Sequence, residues 1–168
     1  FSTISKYIKI NKEIKEDKPG KQGSILLRSS VETATDKAID DYAKVFYFVA
    51  MNSEVEWSLG HVTKGDKNLI GLGTIEQPTL GPGLSMIFGD NIEIISRTHS
   101  HPVPSLNEEK GSMYGDVRQA EYYKTKYKNY VLMNGSGNLW QITPTKNGSR
   151  ANTKLVKKTA SYKDIKVK

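Results

Sequence analysis

Two of the three histidines in the chain, His99 and His101, stand two residues apart in Thr98-His99-Ser100-His101-Pro102. On an extended strand such residues project from one face, so both imidazoles can reach a single metal ion. A tetrahedral catalytic zinc takes three protein ligands and keeps one position open. Asp116, which follows Gly115 where a helix is expected to begin, is the natural oxygen donor. Glu54 and Glu56 lie upstream as candidate bases, and Ser112 can offer a hydroxyl. The chain has no cysteine, which excludes thiolate ligands, cysteine nucleophiles and disulfides together. The site must be built from oxygen and imidazole, and the pieces match a hydrolytic zinc site: a metal lowers the pKa of its water toward about 7, a carboxylate takes the proton, and a hydroxyl donates to the developing oxyanion.

These side chains need a scaffold. Ser29-Ser30-Val31-Glu32 has the form of a capping box, and Ala34, Ala38, Ile39, Tyr42, Ala43 and Phe46 then recur at helical spacing, which predicts a helix over residues 30–48. From residue 54 to 60 the period is two, with Val55, Trp57 and Leu59 alternating with Glu54, Glu56, Ser58 and Gly60. Both glutamates fall on the less apolar face of that strand, so parity does not separate them. A second strand over 68–75 follows the polar turn Lys64-Gly65-Asp66-Lys67, making a hairpin. Residues 77–90 read as loop with one helical turn at 84–88, and a third strand over 92–101 ends at Pro102. Residues 103–114 are expected to be loop, with Asp116 capping a helix over 117–126. Strands over 130–133 and 139–143 flank the turn Asn134-Gly135-Ser136-Gly137. The order predicts a mixed sheet with a helix on one or both faces.

Other residues read blandly. His61 has the wrong parity relative to the two glutamates and reads as a core or rim histidine rather than a ligand. Trp57 and Trp140 read as core aromatics, with Tyr122, Tyr123, Tyr127 and Tyr130 partly so, and Asn147-Gly148-Ser149 as a turn.

A chain of 168 residues suits one domain that buries roughly 70% of its unfolded surface, so a metal is not needed for folding. No stretch approaches the roughly 20 apolar residues needed to span a bilayer, and no charged-then-apolar signal peptide is visible, while the start at Phe1 rather than methionine reads as a trimmed chain. Residues 1–24 read as an irregular leader, 25–150 as the folded domain and 151–168 as a basic tail. The net charge of +7 is a property of that end: residues 1–100 carry 12 basic against 13 acidic side chains, and residues 144–168 carry 8 against one. No aromatic-studded basic groove accompanies these lysines, so a solvated tail is favoured and nucleic acid is not expected as a partner.

An upstream strand glutamate, then His99-Ser100-His101-Pro102, then Ser112 and Asp116 leading into a helix resembles the JAB/MPN/JAMM metallopeptidase domain, over about residues 30–143. The resemblance implies an α+β fold of cytidine-deaminase-like architecture, with a mostly antiparallel mixed sheet flanked by helices. It further implies that His99, His101 and Asp116 bind zinc, that Glu56 is the general acid and base, and that Ser112 stabilises the tetrahedral intermediate. The segment from Ser112 to Asp116 is one residue longer than the family's pattern and the loop before it is also long, which leaves Ser105 as an alternative to Ser112. Val55-Glu56-Trp57-Ser58, taken with His-Ser-His-Pro and Gly115-Asp116, is similar to JAB-like toxin domains of bacterial polymorphic secreted proteins and favours Glu56 over Glu54. That likeness implies a zinc-dependent peptidase or isopeptidase with a protein or peptide substrate. It would be the toxic end of a chain delivered into a target cell, with an acidic immunity protein as the partner of the basic tail. The competing expectations are an inactive MPN-like binding module and a small metal-dependent nuclease.

Overall fold

The computed structural model describes residues 26–75, 79–103, 108–122, 125–144, 151–165 and 167. The expected leader over 1–24, Ser105, Tyr123 and the Asn147-Gly148-Ser149 turn lie outside them. The fold is α+β, as expected: a seven-stranded mixed sheet in the order β1-β3-β2-β4-β5-β6-β7. Its strands are β1 (Leu27–Val31), β2 (Ser58–Lys64), β3 (Lys67–Thr74), β4 (Glu93–His101), β5 (Lys128–Met133), β6 (Leu139–Pro144) and β7 (Ala151–Lys157). Only β4 and β5 run parallel; every other pairing is antiparallel.

One face of the sheet is covered by α1 (Asp36–Met51), whose Ile39, Tyr42, Ala43, Phe46 and Ala50 are buried against Leu59, Leu72, Tyr130, Leu132 and Leu139. Tyr42 and Phe46 are fully buried, and each such side chain contributes roughly 1.5–3 kcal/mol of transfer free energy. The helix starts later than its sequence suggests. Ser29, Ser30 and Val31 belong to β1, and Thr35 is the N-cap, its hydroxyl accepting from Ala38 N at 3.1 Å.

The opposite face carries α2 (Leu84–Phe88), α3 (Glu109–Ser112) and α4 (Tyr114–Tyr122). α2 sits close on the sheet because Gly60 leaves room: a Cβ there would lie 2.6 Å from Leu84 Cδ2. Met113, Ala120, Val131, Met133, Trp140 and Ile142 pack beneath α4, and Val62, Leu69, Leu84, Ile87 and Phe88 beneath α2. The cleft lies on this face, toward the carboxyl end of the parallel pair. Tyr122 is exposed, contrary to expectation.

The expected basic tail is largely part of the domain. β7 pairs with β6, and Ala160, Ile165 and Val167 enter the core beside α1. Lysines 154 and 157 are exposed on this edge strand, an arrangement that discourages edge-to-edge association.

Candidate metal centre

His99 and His101 end β4 on the face shared by Val131 and Met133, their register partners on β5. Both are buried, His99 at 1% exposure, and α4 brings Asp116 over them. Asp116 lies in the first turn of α4 rather than at its cap. Its two oxygens divide between the rings: Oδ1 is 2.9 Å from His99 Nε2, and Oδ2 is 3.0 Å from His101 Nε2. The ligand atoms of the three residues all lie within 4.8 Å of one another. A tetrahedral zinc with bonds of about 2.0–2.1 Å holds its ligands roughly 3.3–3.4 Å apart, so small side-chain adjustments close the set on one ion.

The hydrogen bonds around His101 support the same reading. Ser112 Oγ lies 2.8 Å from the Glu109 carbonyl oxygen, which can only accept, so the hydroxyl proton is directed there. Toward His101 Nδ1, 3.0 Å away, Ser112 therefore accepts, and Nδ1 carries the ring proton. That leaves Nε2 bare while it faces Asp116 and, at 3.7 Å, Glu56 Oε1. Acceptor atoms converging in a buried place call for a cation between them. Ser112 thus orients a candidate ligand, its proton directed to the Glu109 carbonyl, whereas the family resemblance implies that it donates to an oxyanion.

Glu56 and Glu54 part company here. The segment before β2 is not strand, so the two-residue alternation does not apply: Glu54 is exposed, whereas Glu56 is buried and lines the cleft. Three distant residues place it. The Thr74 hydroxyl donates to Glu56 O at 2.6 Å. Trp57 N–H donates to Ser100 Oγ at 3.0 Å while Ser100 N–H donates to Trp57 O at 2.9 Å, which clamps the glutamate segment to the residue between the two histidines. Gly81 N–H donates to the Glu56 carboxyl. Burial pushes Glu56 up to about 7, against the opposing pull of His101 and Arg97. Burial likewise pushes His99 down to about 4, keeping it neutral as a ligand must be.

The cleft has a volume of about 1020 Å³ and is lined by Glu56, Arg97, His101, Ser112 and Asp116 on the sheet and α4 side. Thr79, Leu80, Gly81 and Gly83 line it from the loop before α2, Pro102 and Val103 from the segment after β4, and Gly111 from α3. His61 is elsewhere, buried with its ring nitrogens 2.7 Å from Val167 O and 2.6 Å from Asn68 Oδ1, and is no ligand.

Sequence reasoning missed Glu109. It is 3% exposed and its carboxyl oxygens receive the Ser136 hydroxyl, Asn138 Nδ2 at 3.2 and 3.3 Å, and Trp140 Nε1 at 2.7 Å. It ties α3, and with it Ser112, to β6 and the turn before it.

A mixed sheet with His-x-His at the end of a central strand, an aspartate from the following helix and a buried glutamate beside them defines an α+β domain built around a candidate metal centre. The model of one protein family, JAB-like toxin 1, matches residues 34–139, and the chain belongs to that family. No curated protein matches the chain. Among the described residues no helix is long and apolar enough to cross a membrane.

Proposed function

We propose that this domain is a zinc-dependent peptidase or isopeptidase, acting as the toxic effector end of a chain delivered into a target cell. The observation that carries the reading is the placement of Glu56: a buried carboxyl, 3.7 Å from Nε2 of His101, beside a three-residue candidate ligand set and lining the cleft. Zinc held by His99, His101 and Asp116 would supply Lewis acidity toward an amide oxygen and acidify water that it contacts.

The chain's own groups do the rest. Glu56, with a pKa of about 7, can take a proton from water and return it to the leaving nitrogen. Ser112 and Glu109 hold the His101 ring in one tautomer. Ser100, Thr74 and Gly81 hold Glu56 at the cleft, and the loops before α2 and after β4 enclose the substrate. Membership of a toxin family supports delivery as an effector. It also supports an acidic immunity protein as partner, for which the lysines of β7 offer complementary charge.

Metal analysis of the purified protein beside Glu56→Gln and Glu54→Gln tests this. Zinc is expected in all three. Cleavage of a peptide library is expected from the parent and Glu54→Gln but lowered by at least about 100-fold in Glu56→Gln. Failure of the parent to bind any divalent metal would leave an inactive binding module, and cutting of plasmid DNA in place of peptides would mark a nuclease.

A further inference from the structure

Arg97 stands on β4 two residues before His99, so its side chain leaves the same sheet face as the two histidines. Its register partner on β2 is Gly60, which puts no side chain beside it. The guanidinium is half-buried, and its use by the protein itself is slight. Nη2 donates to Ser58 Oγ at a long 3.4 Å, and Nε is buried with no hydrogen-bond partner at all. Among the described residues it forms no ion pair with a carboxylate. A buried donor on a permanent cation left without an acceptor is costly unless something else fills it.

Its position says what that is. Arg97 lines the catalytic cleft and also a second cavity of about 500 Å³, and it shares both with Asp116, Gln119 and Gly83. The two cavities thus adjoin at these four residues, and the second continues toward Lys126 and Asn129, whose Oδ1 is likewise buried without a partner. A substrate lying from the metal centre into this second cavity passes Arg97. The planar fork of donors on a guanidinium suits a planar monoanion. A phosphate dianion fits worse, because Glu56, Glu108 and Asp116 line the same cleft.

We propose that Arg97 forms a carboxylate-binding subsite beside the metal centre, so that the substrate carries a carboxylate next to the scissile amide, from an acidic side chain or a free C-terminus. This rests on the reading of the cleft as an amide-hydrolysing site.

Binding and cleavage are measured separately. Binding is read from the Arg97 Nε–H resonance of the purified protein, titrated with N-acetyl-Ala-Ala-Ala as free acid or amide, with N-acetyl-Ala-Glu-Ala-amide or its Gln counterpart, and with inorganic phosphate. One acid is expected to bind about 10- to 100-fold more tightly than its amide and to move the resonance; which acid does so names the source of the carboxylate. Arg97→Met should abolish that preference, and Arg97→Lys should keep only part of it, because it retains the charge without the fork. If Arg97→Met does not fold, Arg97→Lys and the resonance decide. Equal binding of acids and amides, an unmoved resonance, a preference that survives Arg97→Met, or phosphate binding more tightly than every acid would overturn the subsite. Acid-selective binding with no peptide cleavage by the zinc-loaded parent sinks the peptidase reading and keeps the subsite; cleavage without acid preference does the reverse.

Discussion

The Ser112 hydroxyl accepts from His101 Nδ1 at 3.0 Å while giving its own proton to the Glu109 carbonyl oxygen at 2.8 Å. The pair holds the ring with Nε2 bare and aimed at Asp116. His99 has no such support, for its Nδ1 is buried without a partner. Hydrogen bonds to the far nitrogen of a ligating imidazole typically contribute 10- to 100-fold in metal affinity, so Ser112→Ala should weaken zinc binding by about that factor while the protein stays folded. Competition against a chromogenic chelator measures it, and Ser112→Thr, which keeps the hydroxyl, should restore most of the affinity. Unchanged affinity in Ser112→Ala would remove the serine from the support of the ligand.

Glu109 reaches the same site from behind. Its two carboxyl oxygens accept from Ser136, Asn138 and Trp140, all neutral donors. Glutamine offers one acceptor oxygen and turns an NH2 group toward donors. Glu109→Gln should therefore cost about 1–3 kcal/mol in urea unfolding of the metal-free protein. Because the carbonyl of the same residue takes the Ser112 proton, zinc affinity should fall in parallel. A stable variant with full affinity would show that α3 is held by other contacts.

A side chain at Gly81 would crowd the candidate base. A Cβ there would lie 3.0 Å from Ser58 Oγ and 3.3 Å from Glu56 Oε2, the carboxyl that the Gly81 N–H supports. Gly81→Ala should displace the base and lower kcat by about 10- to 100-fold, with zinc retained, since small misplacements of a reacting group have effects of this size. Steady-state kinetics beside metal analysis separates this from loss of the ligand set.

The candidate ligand group was legible because period-two spacing and a helix start are local signals: His99, His101 and Asp116 could be read from one segment of chain. Glu56 was not separable from Glu54 in that way, since the segment before β2 is irregular and its orientation is set by Thr74, Gly81 and Ser100, each far away in sequence. β1 was hidden because Ser29-Ser30-Val31-Glu32 imitates a helix cap, whereas the real cap, Thr35, comes after a strand. β7 was hidden by its lysines, which read as a solvated tail but sit on the open edge of a sheet. Glu109 gave no signal, for an acid in a polar loop looks solvated until its donors arrive from 27 to 31 residues onward.

Two buried groups of the centre should oppose one another in the pH dependence of metal-free stability. His99 has a pKa of about 4 in the folded chain against an ordinary 6.5, so between these values the unfolded chain binds more protons and stability is lost as pH falls. Glu56 has about 7 against an ordinary 4.5, so in that window the folded chain binds more protons and stability is lost as pH rises. Each slope approaches about 1.4 kcal/mol per pH unit, and from pH 4.5 to 6.5 they offset. The parent's melting temperature should thus be nearly flat there, while Glu56→Gln, which leaves His99 unopposed, should become more stable as pH rises from 4.5 to 6.5. Parallel profiles for the two proteins would mean that Glu56 titrates in the folded chain as it does in the unfolded one.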